Sequence, residues 1–334
     1  MSIAGDDPAL MVRCLHDVIA VDGHPAPFDR IRIRVFYPAL DDGSEFVRMS
    51  GEVPLAPAEK PWPVVVIVPG VNIGSEVYRW LADALVRLGH VVVTFDWVDM
   101  LFGIQRGLTP GMDLETATHD GYGSGPTATA LVPILDHLAS SAPIFDDRID
   151  LSQVAVGGHS AGGAVALQSA DPAWVPGLRA VFTYGAHTMT STALGWPPGA
   201  VAPVPAGTPV LLMAGDRDGV ISASRGRYGI GEGEHDPIRL TWERAIDPST
   251  PGSYLCFEGA THFTFTDPFD PTTGRAFLEG SQPTPEHAAE LRDLMARVVG
   301  AFLDQHLTAS EPVGPTVAEL TADHPLVIEH DDRS

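Results

Sequence analysis

Apolar and polar positions alternate along this chain in a repeating rhythm. Short apolar runs bounded by Gly and Pro read as buried strands: Pro63-Val64-Val65-Val66-Ile67-Val68, Val91 to Phe95, Val154-Ala155-Val156-Gly157, Ala180 to Tyr184, Pro209 to Ala214 and Tyr254 to Phe257. Segments of helical spacing lie between them, from Glu76 to Leu88, from Thr127 to Ser140, directly after Ser160, and from Pro285 to His306. Two extended segments open the chain, Asp17 to Val21 and Ile31 to Tyr37; the second alternates Arg with apolar side chains, as a half-exposed strand does. An acidic, Pro-rich linker follows it. Strand and helix in alternation predict an α/β protein, with a mostly parallel central sheet flanked by helices on both faces.

The expected organisation is one domain over residues 1–308 and an acidic, Pro-containing tail over 309–334, in which Leu326-Val327-Ile328 is the part suited to strap onto the body. Residues 97–126 and 186–208 break the rhythm. Both are rich in Gly, Pro and Thr and follow strand ends, so irregular loop insertions forming a pocket wall or small lid are expected there.

Charge narrows the partners. A formal net charge of -23 with only 20 Lys and Arg leaves no cationic cluster for phosphate neutralisation, so nucleic acid is not an expected partner. Met1-Ser2-Ile3-Ala4-Gly5-Asp6-Asp7 lacks the basic start and apolar stretch of a signal peptide, and no apolar run reaches membrane-spanning length. A cytoplasmic location is expected. Cys14 and Cys256, the two cysteines, suit isolated thiols better than a disulfide framework.

The chemistry centres on Gly158-His159-Ser160-Ala161-Gly162-Gly163, which sets a serine on a glycine-flanked turn between a strand and a helix-compatible segment. A serine hydroxyl is a weak nucleophile at neutral pH, so a base must lie within hydrogen-bond reach and a carboxylate must fix that base's tautomer. Two later strands end in suitable residues. Leu211 to Ala214 runs into Gly215-Asp216-Arg217-Asp218, and Leu255 to Phe257 runs into Gly259-Ala260-Thr261-His262. The order Ser160, Asp218, His262 fits a nucleophile, an acid and a base at the ends of three strands. Asp216 is the alternative acid; Asp218, being later, reaches further over the rim toward the histidine loop. An oxyanion hole needs two backbone N–H donors. Ala161 supplies one, and the loop after Val68 the other, at Val71 with its neighbour Asn72 as alternative. His187 borders the same region, and Glu234-His235-Asp236 has metal-ligand residue types but consecutive positions that rarely converge on one ion.

From about Val64 to Leu307 the chain resembles the α/β-hydrolase superfamily. Val68-Pro69-Gly70, Gly89-His90-Val91-Val92-Val93, Asp150 to Gly163, Gly215 to Asp218 and Gly259 to Asp267 are similar to its dienelactone-hydrolase-like branch, which includes bacterial cutinases, polyester hydrolases and platelet-activating-factor acetylhydrolases. The resemblance implies a cofactor-free serine esterase, with catalytic positions at Ser160, Asp218 and His262 and oxyanion donors at Val71 and Ala161. It departs from the polyester hydrolases, which usually carry an aromatic residue at the position of Val71, a methionine at that of Ala161 and a tryptophan near Gly185 or Ala186. The expected substrate is a small or medium carboxylic ester, cleaved through an acyl-enzyme. Phospholipid acetylhydrolase-like or cutinase-like activity is the alternative within the class, and an inactive ligand-binding member of the fold the alternative outside it.

Overall fold

A computed structural model describes residues 10–101, 105–140, 145–231, 234–307 and 314–333. Met1 to Asp7, Gly233 and the first residues of the expected tail lie outside these. The chain opens with the antiparallel pair β1 (Leu10–Ala20) and β2 (Arg30–Leu40). The linker after it contains a helix, α1 (Glu45–Ser50), because Ser44 accepts the Val47 N–H as an N-cap and Gly51 closes the helix in the left-handed region. Then come β3 (Trp62–Val68), α2 (Arg79–Arg87), β4 (Val91–Leu101), β5 (Gln105–Leu108), α3 (Leu131–Ser140) and β6 (Ile149–His159). They are followed by α4 (Ala161–Gln168), β7 (Leu178–Tyr184), β8 (Val210–Gly215), α5 (Gly219–Ser224), α6 (Pro237–Arg244) and β9 (Gly252–Phe257). The long α7 (Pro285–Leu307), α8 (Val317–Thr321) and β10 (Val327–Arg333) complete the order.

The strands form one sheet in the order β1-β2-β4-β3-β6-β7-β8-β9-β10, with β5 paired to the end of β4. From β4 to β9 every pairing is parallel, while β2 joins β4 and β10 joins β9 antiparallel. The continuous valines of β3 follow from burial on both faces. Val64, Val66 and Val68 pack with Phe95, Val165 and Trp242, whereas Val65 and Ile67 pack with Leu81, Leu294 and Phe302. Helices α2 and α7 cover the second face, and α3, α4 and α6 the first.

Several boundaries differ from the sequence expectation. The helical run read from Glu76 starts as a tighter 3-10 turn, Ser75–Tyr78, and the helix read from Thr127 starts at Leu131. The second shift has a direct cause, since backbone groups of residues 127–129 are spent sideways: Asp113 N–H on Thr127 O at 2.9 Å, Thr129 N–H on Gly111 O at 2.9 Å and Ala128 N–H on Ser169 Oγ at 2.9 Å. The last part of the expected tail is β10, paired along β9. Its Asp331 accepts the Trp242 indole N–H at 3.0 Å, and the Arg333 guanidinium sits 3.9 Å from the centre of that indole ring. Among the described residues no helix is long and apolar enough to cross a membrane.

Candidate active site

Strand β6 becomes helix α4 at a single residue, Ser160, with φ 56° and ψ −127°. For a side chain larger than hydrogen, positive φ costs about 1–2 kcal/mol, so the neighbours must hold it. The Ser160 N–H donates to Tyr184 O at 3.0 Å, tying the turn to the end of β7. The flanking glycines are there for contact: a Cβ on Gly158 would lie 2.5 Å from Gly163 Cα, and one on Gly162 would lie 2.3 Å from Val68 O. The strand and helix can cross this closely only without those side chains.

Asp218 stands at the N-cap of α5, at the end of β8, and both of its carboxylate oxygens are used. Oδ1 accepts the Ile221 N–H at 2.8 Å, and Oδ2 lies 2.7 Å from His262 Nδ1. Both side chains are buried, 3% and 2% exposed. A carboxylate facing Nδ1 places the ring proton there and leaves Nε2 as the acceptor, the tautomer that a general base requires. Asp216 has a different partner: its Oδ1 takes the Gly259 N–H at 2.7 Å, fixing the turn where β9 passes into the histidine loop. Of the two acids, the structure brings Asp218 to His262. Neither Ser160 Oγ nor His262 Nε2 bonds to another described residue.

The loop after β3 separates Val71 from its neighbours. Gly70 N–H donates to the Tyr78 hydroxyl at 3.1 Å, Asn72 N–H to Leu108 O at 2.9 Å, and Ile73 N–H to Gly70 O at 3.2 Å. Val71 is left as the residue of this turn whose N–H has no acceptor among the described residues. Asn72, at φ 57°, also accepts the Leu108 N–H on Oδ1 at 3.1 Å, so β5 braces the loop through both its backbone and its side chain. Ala161 is the first residue of α4, where an N–H has no intrahelical acceptor. Gly70 lies against the serine, since a Cβ there would be 3.3 Å from Ser160 Cβ.

Residues 97–126 are not irregular throughout, since β4 runs to Leu101 and β5 spans Gln105–Leu108; the part that follows β5 is joined to the stretch 186–208. Trp196 donates its indole N–H to Ala117 O at 3.0 Å and packs edge-on to His119 and Tyr122, with ring centres at 4.9 and 5.4 Å. His187 packs edge-on to Tyr228 at 4.8 Å and accepts the Met189 N–H on Nδ1 at 3.2 Å. Burial, with the nearby His262 and Arg227 adding to it, pushes the His187 pKa down to about 3. The stretch Glu234-His235-Asp236 does not converge: Glu234 accepts the Gly231 N–H, His235 pairs with Glu243 at 2.8 Å, and Asp236 caps α6.

Four further residues support the acid–base pair. Gly185, at φ 60°, leaves room beside the acid–base pair, because a Cβ there would lie 2.9 Å from His262 Nδ1 and 3.3 Å from Asp218 Oδ2. Glu279 Oε1 accepts the His262 backbone N–H at 3.2 Å, while its other oxygen is buried with no side-chain or backbone bond among the described residues. Burial first, and Asp218 second, push the Glu279 pKa up. His159 bonds to the Tyr78 hydroxyl through Nδ1 and to His262 O through Nε2, each at 3.0 Å. Only His159 is marked in the sequence, by its place within the glycine turn.

Among solved structures, the ferulic acid esterase from Streptomyces cinnamoneus is similar to this chain. The two are 21% identical with a TM-score of 0.57, the match covering 93% of this chain and 95% of that one. At this identity the likeness is one of fold, and the fold is the α/β-hydrolase fold. No family model and no curated protein matches the chain.

Proposed function

We propose that this chain is a serine hydrolase that cleaves a carboxylic ester of small to medium size. The observation that carries the reading is the buried bond between Asp218 and His262, made by two strand ends beside a serine held at positive φ. The ferulic acid esterase of similar fold supports ester hydrolysis, and feruloyl esters are among the substrates to be tried.

In this reading Ser160 Oγ attacks the ester carbonyl carbon as its proton passes to His262 Nε2. Asp218 holds the imidazole in the required tautomer and balances the imidazolium. The N–H groups of Val71 and Ala161 take the oxyanion, each worth about 3 kcal/mol in the transition state. Collapse expels the alcohol, which receives the proton from His262. Water then attacks the acyl carbon, its proton passes through His262 to Ser160, and the acid leaves. In this reading the segments joined through Ala117, Tyr122 and Trp196 form the wall that selects the ester. The test is turnover of a p-nitrophenyl ester series graded by acyl length, together with labelling by a fluorophosphonate probe. Ser160→Ala should lose both and keep its melting temperature; turnover retained in that variant would overturn the assignment.

A further inference from the structure

Three loops converge on the candidate site, from the ends of β3, β6 and β9, and beneath them runs a chain of three buried hydrogen bonds. Gly70 N–H meets the Tyr78 hydroxyl at 3.1 Å, the hydroxyl meets His159 Nδ1 at 3.0 Å, and His159 Nε2 meets the His262 carbonyl at 3.0 Å. Tyr78 and His159 are each 0% exposed. The direction of every bond is fixed. A carbonyl can only accept, so His159 Nε2 carries the proton and, in a neutral ring, Nδ1 accepts. The Tyr78 O–H must then donate to Nδ1, and its lone pair takes the Gly70 N–H. The ring is kept neutral by burial, which together with the nearby His262 holds the His159 pKa well below its ordinary value.

The end points of the chain give it meaning. Gly70 precedes Val71, the residue in the β3 loop with an uncommitted N–H; His159 precedes Ser160; and the carbonyl belongs to His262 itself. We propose that Tyr78 and His159 are positioning residues, forming a strut that sets the oxyanion loop, the nucleophile and the general base at their mutual distances. The inference rests on the serine hydrolase reading above. Neither side chain needs to touch substrate. A strut of this kind serves the reaction because a misplacement of about 1 Å in the reacting groups costs on the order of 10²-fold in rate. It also explains why the tighter turn at Ser75–Tyr78 precedes α2, since that turn presents the tyrosine to the site.

The test compares Tyr78→Phe, His159→Phe, the double variant and Ser160→Ala, by kcat and KM on p-nitrophenyl acetate and by the rate of fluorophosphonate inactivation. Each single substitution should lower kcat and the inactivation rate about tenfold or more, with KM close to wild type. The double variant should be no slower than the slower single, because either change breaks the same chain. His159→Gln, which retains an N–H donor at the place of Nε2, should recover part of the loss. Unchanged kcat in Tyr78→Phe, or losses that multiply in the double variant, would overturn the strut. Turnover in Ser160→Ala would instead overturn the hydrolase reading itself, so the two failures are distinguishable.

Discussion

Gly185 leaves a gap beside His262 that no other residue type can occupy: a Cβ at that position would stand 2.9 Å from the ring Nδ1 and 3.1 Å from Cε1. The backbone there has φ 60°, so a side chain would be strained before it met the ring. Gly185→Ala should therefore turn His262 away from Asp218. We expect kcat to fall about 10²-fold and stability to fall by about 1–2 kcal/mol, measured by ester turnover and urea unfolding.

The two acids after β8 should separate cleanly on amide substitution. Asp218→Asn removes the charge that fixes the His262 tautomer, and kcat should fall about 10³ to 10⁴-fold. Asp216→Asn keeps an oxygen for the Gly259 N–H and should remain within a few-fold of wild type. Initial rates on one p-nitrophenyl ester decide it, and the reverse ranking would move the acid to Asp216.

Acid sensitivity follows from His187. Its pKa is pushed down to about 3 in the folded chain, against about 6.5 in an unfolded one. The unfolded state thus binds the proton more tightly, and the stabilisation is complete above about pH 6.5 and lost as the pH falls toward 3. His187→Asn retains an acceptor for the Met189 N–H and removes the titration. Its urea midpoint should decline less between pH 7 and pH 4 than that of the wild type.

At the far edge of the sheet, Arg333 donates to Ile246 O at 3.0 Å and to Trp242 O at 2.8 Å while stacking on the Trp242 ring. Arg333→Ala should cost about 1–3 kcal/mol, read by thermal and urea unfolding. Its kcat should be unaffected, since β10 does not contribute to the site.

What the sequence shows and what it hides divide along a physical line. The glycine turn at Ser160 is legible because close crossing of strand and helix excludes side chains, and that exclusion leaves a mark in residue type. Asp218 and His262 are legible because each follows an apolar run that can only be a buried strand, so both must emerge at the same edge of a parallel sheet. By contrast, β10 reads Val327-Ile328-Glu329-His330-Asp331-Asp332-Arg333, too polar to announce a strand, and only its pairing to β9 makes it one. The strut through Tyr78 and His159 is hidden for another reason: its bonds join residues 81 and 103 positions apart, and a tyrosine in an apolar helical run reads as ordinary core. Backbone partners such as those of Asn72 and Ile73 leave no trace in residue type.

The outer edge of β10 is also a boundary. An edge strand offers a row of unsatisfied N–H and C=O groups to any other strand that arrives. Here that strand carries Glu329 and Asp332 beside Asp331, which is held by Arg239 and Trp242, on a chain whose formal charge is -23. A second copy approaching edge to edge would set carboxylates against carboxylates, and like charges placed opposite one another destabilise a strand pair. Among the described residues, this repulsion is what guards the outer edge of β10.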